Sequence, residues 1–393
     1  MVAGKTRPGR IIVYTVDGTP GSEDGLHWIS THLVRPGDHV VLCHVLMDPR
    51  TPMTGVGAIG NAVRWATADT AGSYAAEYFG RAEKAAQAML SSRFEAPLLS
   101  ATGGSVSISV ELPRLRTHRS AAGIGETVAG VAERLRADMV VSPSHGPGMQ
   151  AAYGSVSRWI SEHSPVPVLL LPPEALLHAS PDSLTSRPPP FAPSPSGGPP
   201  TSPNIVLLTA SRRIPTEELQ WTLETLAVPG DVLTVGALER DGAARADLER
   251  DLDAAARALG ADARGVKVAL AAYSAEEIAD ASPGSAPAAC ADAALALAAG
   301  VHARSVVLAR PPADFVSDMM YGAAVARLIA RCPRPLVVLE KGHLDRAANS
   351  AAKTDSVGGW PAPPASWKKP VGGGPPRGGQ GVPYGGGDPR TGA

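Results

Sequence analysis

The chain has 393 residues, 44% hydrophobic but only 4% aromatic, with 42 Gly and 38 Pro, a length that suits two medium-sized domains with extra segments. Its 36 Lys and Arg against 37 Asp and Glu leave a formal net charge of -1 with no long basic run, which excludes an electrostatic footprint for nucleic acid. No stretch reaches the ~20 apolar residues of a membrane helix, and the first ten residues carry no apolar signal region. The expectation is therefore no membrane contact and a cytoplasmic or other reducing intracellular location.

Cys43, Cys290 and Cys332 are odd in number, far apart and set in apolar segments. That pattern predicts buried, reduced thiols rather than disulfides or a metal site.

Residues 11–16 (IIVYTV) form a β-branched run that predicts a strand. Residues 22–34 place Leu26, Ile29 and Leu33 at helical spacing, and Pro36-Gly37-Asp38 stops that helix. Residues 40–46 (VVLCHVL) predict a second buried strand, 47–65 a long loop, and 67–90 an Ala-rich helix with Tyr74, Tyr78 and Phe79 available to the core. A third strand follows at 105–110, then a helix over 125–136 with Val128, Val131, Ala132 and Leu135 on one face. Next come a strand at 139–142, a loop with Gly146, Gly148 and Gly154, a short helical run, and an apolar strand at 168–171. Continuously apolar strands alternating with helices predict a parallel sheet covered on both faces.

Residues 174–203 centre on RPPPFAPSPSGGPPTSP and read as a stiff, extended linker. The earlier plan then returns. Trp28 and Pro36-Gly37-Asp38 recur as Trp221 and Pro229-Gly230-Asp231, while Tyr153-Gly154 and Pro165-Val166-Pro167-Val168 recur as Tyr321-Gly322 and Pro333-Arg334-Pro335-Leu336. This is an internal duplication. It predicts strands near 205–209, 232–235, 266–270, 305–309 and 336–339, and a division into domains at 9–173 and 204–340. Ala294, Leu297, Ala298, Met319 and Met320 read as core.

Residues 341–393 are Gly- and Pro-rich and read as a disordered tail. In it Trp360 and Trp367 precede Lys368-Lys369, either as a docking strip or as plain exposure.

A glycine-bearing turn between a parallel strand and a helix lets backbone N–H groups converge on a phosphate. The loop carrying Gly146, Gly148 and Gly154 is thus the candidate site. Asp17, after the first strand, reads equally as a turn or cap acceptor. Ser144 and His145 are adjacent but have no third orienting residue and no ligand at metal spacing, so no catalytic residue, no metal site and no enzyme activity are expected.

Each copy resembles a domain of the universal stress protein family, through IIVYTVDGTPGSEDGLHW, PGDHVVLCHV and ADMVVSPSHGPGMQAAYGSVSRWISEHSPVPVLLL in the first. The resemblance implies an α/β fold of two Rossmann-like domains, each a five-stranded parallel sheet with helices on both faces. In nucleotide-binding members ATP sits at the carboxyl ends of the strands. By that match Asp17 meets the ribose, the backbone near Val45 faces adenine, and the loop from Gly146 to Ser155 cradles phosphates, with the Ser155 and Ser157 hydroxyls at a helix N-terminus. Family members dimerise through their last strand, which implies that 168–171 and 336–339, otherwise sheet edges, pair within this chain.

The family's nucleotide pattern runs Gly, two residues, Gly, nine residues, Gly, then Ser or Thr. Here Pro143 takes the place of the first Gly, and only seven residues separate Gly146 from Gly154-Ser155. The second copy has Pro312, Ala323 and Ser211 in place of the second Gly, the Ser and Asp17. The expectation is a non-enzymatic structural or adaptor protein with protein partners reached through its domain surfaces and tail, holding no certain cofactor. The alternative is a stress-response module binding ATP or AMP in the first domain.

Overall fold

The computed structural model describes residues 9–47, 71–115, 120–143, 155–172, 204–209, 214–239, 243–274, 286–309, 326–328 and 331–339. The chain divides into two units, Met1–Ala352 and Lys353–Ala393, and every described residue lies in the first. The linker, the tail with its two Trp, and Met319 and Met320 lie outside the described residues.

In chain order the first half contains β1 (Ile11–Thr15), α1 (Pro20–His32), β2 (His39–Cys43), α2 (Ala71–Leu90), α3 (Ala96–Ala101), β3 (Ser107–Glu111), α4 (Ala121–Leu135), β4 (Met139–Pro143), α5 (Ser155–His163) and β5 (Val168–Leu171). The second half contains β6 (Asn204–Thr209), α6 (Thr216–Thr225), β7 (Val232–Glu239), α7 (Ala243–Ala258), β8 (Lys267–Ser274), α8 (Ala286–Gly300), β9 (Ala303–Ala309) and β10 (Leu336–Leu339).

The two five-stranded sheets pair through their last strands, as expected, so that among the described residues the strands form one ten-stranded sheet in the order β3-β2-β1-β4-β5-β10-β9-β6-β7-β8. Each half is parallel throughout, and the halves meet at the antiparallel pair β5–β10, with Leu169 opposite Val337. Strands 168–171 and 336–339 therefore lie at the centre of the sheet, and among the described residues β3 and β8 are its edges. All four residues of both central strands are buried, which is why each reads as a continuous apolar run.

Helices cover both faces. Leu26 and Ile29 of α1, Leu90, Phe94 and Leu98, together with Leu219 and Leu223 of α6 and Leu252 of α7, pack on one face against Ile12, Tyr14, Leu169 and Val337. Val128, Val131 and Ala132 of α4, Ile160 of α5 and Ala291, Ala294 and Ala298 of α8 pack on the other against Val13, Val140, Leu170 and Val338. Leu297 is half-buried beside them.

Helix α2 does not end at Leu90 as expected. It continues through a π-helical turn, Ser91–Glu95, into α3. Pro97 opens α3 and has no N–H to donate back, so the wider turn before it absorbs the mismatch. Phe94 in that turn is wholly buried.

The repeated Pro-Gly-Asp is a turn with a defined job. Gly37 and Gly230 have φ of +88° and +95°, a region that favours glycine. The following Asp38 and Asp231 each accept the backbone N–H of the residue three before them, Arg35 and Val228, both at 2.8 Å.

Cys43 and Cys332 are buried thiols outside any disulfide; the side chain of Cys290 lies outside the described set. Burial, with a smaller contribution from Glu111, pushes the Cys43 thiol up to about 12. Only the thiolate attacks a disulfide reagent. Cys43 is therefore expected to stay unlabelled in the native protein at pH 8 and to react once denaturant opens the sheet. Mass spectrometry of the labelled peptide checks this; rapid native labelling of Cys43 would refute it.

Candidate functional site

In an open parallel sheet a crevice forms beyond the carboxyl ends of the strands where the strand order reverses. In the first half that point lies between β1 and β4, and in the second between β6 and β9. Among the described residues Asp17, Val45, Ser155 and Ser157 all belong to this end of the first half's sheet, following β1, β2 and β4.

Asp17 is exposed, but its Oδ1 collects three donors. The Thr19 N–H (2.9 Å), the Thr19 hydroxyl (2.7 Å) and the Ser22 hydroxyl (2.8 Å) all point to it. The bond to the amide two residues on is an Asx turn, and it leads the chain from β1 into α1. Pro20 then starts the helix, its fixed φ and missing N–H matching the first helical turn. Thr19 makes no side-chain cap to that helix, so Asp17 organises its entry instead.

Tyr14 sits beneath this corner. It is fully buried, and its hydroxyl donates to the Ser22 carbonyl. Burial first, then the negative charges of Asp17 and Asp24, holds its phenol well above the usual tyrosine range. The close packing depends on Gly25, where a Cβ would stand 2.4 Å from the Tyr14 hydroxyl and 2.9 Å from Pro143 Cβ. Pro143, the last residue of β4, thus packs against α1. Arg93, from the π turn, pairs with Glu23 and donates to the Gly18 carbonyl at 3.2 Å.

Val45 is half-buried and packs toward the α4–α5 side. Its neighbour His44 holds Nδ1 2.8 Å from the Val16 carbonyl, so that nitrogen carries the proton and donates. The Val16 N–H donates to the Cys43 carbonyl at 2.9 Å. These bonds join the exits of β1 and β2.

The two serines part company. Ser155 is exposed at the first position of α5. Ser157 is buried, with its hydroxyl 2.9 Å from that of Ser142 on β4. The Ser157 hydroxyl, expected at a ligand, is thus placed against Ser142 in this structure. Gly146, Gly148 and Gly154, with Ser144 and His145, lie outside the described residues, as do Ser211, Pro312 and Ala323 of the second half.

A second cluster, missed from sequence, lies where the halves meet. Arg10 is bidentate on Asp38, and their side chains are 8% and 4% exposed. Arg10 also donates to the Leu33 carbonyl (2.7 Å) and, across the junction, to the Thr225 carbonyl (2.6 Å). Arg35 donates to the Glu224, Thr225 and Ala227 carbonyls at 2.9, 3.0 and 3.0 Å. Arg304 of β9 donates to the Leu226 carbonyl and to Asp231, both at 2.7 Å. The last carbonyls of a helix have no intrahelical partner and carry its negative dipole end, which cations satisfy. The C-terminus of α6 is thus capped largely by arginines of the other half.

Among the described residues no helix is long and apolar enough to cross a membrane. Residues 9–172 match the family model described as the universal stress protein family. Among solved structures, the chain is similar to a universal stress protein from Archaeoglobus fulgidus DSM 4304 at 16% identity, covering 84% of this chain and 96% of that one, with a TM-score of 0.47. A putative universal stress protein from Pseudomonas aeruginosa UCBPP-PA14 is 12% identical over 88% and 98% of the two chains, with a TM-score of 0.42. The cytoplasmic domain of a prokaryotic cation chloride cotransporter is 13% identical over 86% and 100%, with a TM-score of 0.38. At these scores the likenesses carry no functional inference. No curated protein matches the chain.

Proposed function

We propose, from the premise that residues 9–172 are a universal stress protein domain, that the chain is a non-enzymatic structural or adaptor component working through protein–protein contacts. In this reading residues 204–340 are a second copy of the same fold without the nucleotide-facing groups, and the surfaces of the two copies and the tail beyond residue 340 meet partner proteins. The working compartment is the cytoplasm or another reducing one, a reading supported by the buried thiols of Cys43 and Cys332, which form no disulfide among the described residues.

The observation that carries the proposal is where the nucleotide-facing side chains spend their hydrogen bonds. Asp17 Oδ1 is taken by Thr19 and Ser22, and Ser157 by Ser142. Both groups serve the fold of the corner. The alternative, binding of ATP or AMP in the first half, is favoured by a different observation: Asp17 and Ser155 are exposed at the same end of the parallel strands.

Calorimetric titration with ATP and AMP separates the two. The adaptor reading expects no saturable heat at millimolar nucleotide. Saturable binding that disappears in Asp17→Ala would overturn it. Because Asp17 also holds the entry to α1, the variant is expected to lose about 1 kcal/mol of stability, and a thermal melt run alongside checks that it is folded.

A further inference from the structure

We propose that Asp231 is a buried proton-binding site at the junction of the two halves, with Oδ1 as the atom that takes the proton. The argument starts from its counterpart. Asp38 Oδ1 accepts the Arg10 backbone N–H (3.1 Å) and Nε (3.2 Å), and Oδ2 accepts Arg10 Nη2 (2.5 Å) and the Arg35 N–H (2.8 Å). Both oxygens are satisfied.

Strands β6 and β7 pair in the register of β1 and β2, Asn204 opposite Val232 as Ile11 is opposite His39. The offset is 193 residues on each strand, so the residue in the place of Arg10 is Pro203. Proline supplies neither an amide N–H nor a guanidinium. Asp231 Oδ2 keeps its turn bond from the Val228 N–H (2.8 Å) and gains Arg304 Nη2 (2.7 Å). Oδ1 is buried with no partner among the described residues, in a residue with no exposed surface.

An ionised oxygen left without a donor in a dry site is costly. A proton on Oδ1 removes the charge without displacing either bond on Oδ2. A metal ion is a poor fit, because the charged groups around the carboxylate are mainly arginines. The charged groups that act on it are Arg304 on β9 and Arg35 before β2; Arg10 before β1 and Arg264 in the turn before β8 act on Arg35, Arg304 acts on His32 of α1, Arg264 pairs with Glu224 on α6, and the Lys267 N–H of β8 donates to the Asp231 carbonyl. Burial raises the Asp231 carboxyl above the usual aspartate range, and it outweighs the opposing Val228 N–H, Arg304 and Arg35. A raised carboxyl means that the folded chain binds the proton more tightly than the unfolded one. Stability withheld at neutral pH is therefore recovered as the pH falls through the folded value.

The test reads the Val228 amide of the ¹⁵N-labelled full chain against pH, since that N–H donates directly to the carboxylate. Its shift is expected to titrate with a midpoint above the ~3.9 of an ordinary aspartate. In Asp231→Asn the titration disappears, and the wild type gains melting temperature relative to the variant as the pH falls from the wild-type midpoint toward the ordinary aspartate value. A Val228 amide that is unmoved, or that titrates at or below the ordinary aspartate value, overturns the proposal. The wild-type titration alone decides the matter if Asp231→Asn does not fold.

Discussion

Replacing Arg10 by alanine is expected to lower the free energy of unfolding by about 3–5 kcal/mol, the range for breaking a buried ion pair by removing one partner. The guanidinium is bound on three sides: Nε and Nη2 hold Asp38, Nη2 also reaches the Leu33 carbonyl, and Nη1 reaches the Thr225 carbonyl. Alanine leaves the Asp38 carboxylate, 4% exposed, without its counter-ion and removes a donor from the C-termini of both α1 and α6. Lysine is a poor substitute, because a point charge cannot reproduce the forked geometry. Arg10→Lys is thus expected to recover only a minor part of the loss. The contrast is Arg81, whose pair with Glu77 is 70% and 64% exposed; Arg81→Ala should cost no more than about 0.5 kcal/mol. Urea unfolding followed by circular dichroism measures both. A loss below about 1 kcal/mol for Arg10→Ala would show that the buried pair does not hold the junction.

Much of the frame was legible because it depends on local pattern. The β-branched and apolar runs became strands within a residue or two for β1, β4, β5 and β10, since a fully buried parallel strand leaves little else for the sequence to say. The 193-residue offset between the repeated sequence motifs is also the register offset of the β1–β2 and β6–β7 pairs. The corresponding offset is 166 for β4 and β9, where Ile12 opposite Met139 answers Ile205 opposite Ser305, and 168 between β5 and β10. The first half is thus shorter by two residues between these strands, which agrees with its shorter glycine loop.

What stayed hidden depends on partners distant in sequence. At the 166-residue offset Arg304 stands in the place of Asp138, a residue that in the first half accepts the Ile11 N–H. The cation that pairs with the turn aspartate has therefore moved from the residue before β1 to the start of β9, and no single-copy pattern announces such an exchange. The pairing of β5 with β10 was expected from the family resemblance and is found, although the apolar runs by themselves do not state which strand each will pair with. At the candidate site, residue type revealed which groups bear oxygens. It did not reveal that Thr19 and Ser22 converge on Asp17, or that the Ser157 hydroxyl turns inward to Ser142.

The halves are expected to stay together after the chain is cut between them, and a single charge in the central strand pair should undo this. With a specific protease site placed within residues 187–200, cleaved wild-type protein is expected to elute from a sizing column as one species. Two kinds of contact hold it: the β5–β10 hydrogen bonds, and the arginine bonds from Arg10 and Arg35 to the end of α6. Leu169 is the residue to change. It lies opposite Val337, is 1% exposed, and packs with Leu171, Val337 and Leu339 on the face covered by α1 and α6. Aspartate there loses the roughly 1.5–3 kcal/mol of a buried leucine and places a carboxylate with no donor in an apolar layer, at a further cost of several kcal/mol. Part of that penalty is relieved when the halves part and β5 becomes a sheet edge, since Val337 and Leu339 then no longer cover the site while α1 still does. Cleaved Leu169→Asp protein should therefore separate into two fragments, while Leu169→Met, which keeps volume and polarity, should elute with the wild type. Wild-type fragments that part immediately on cleavage would show that the linker, and not the strand pair, keeps the halves together.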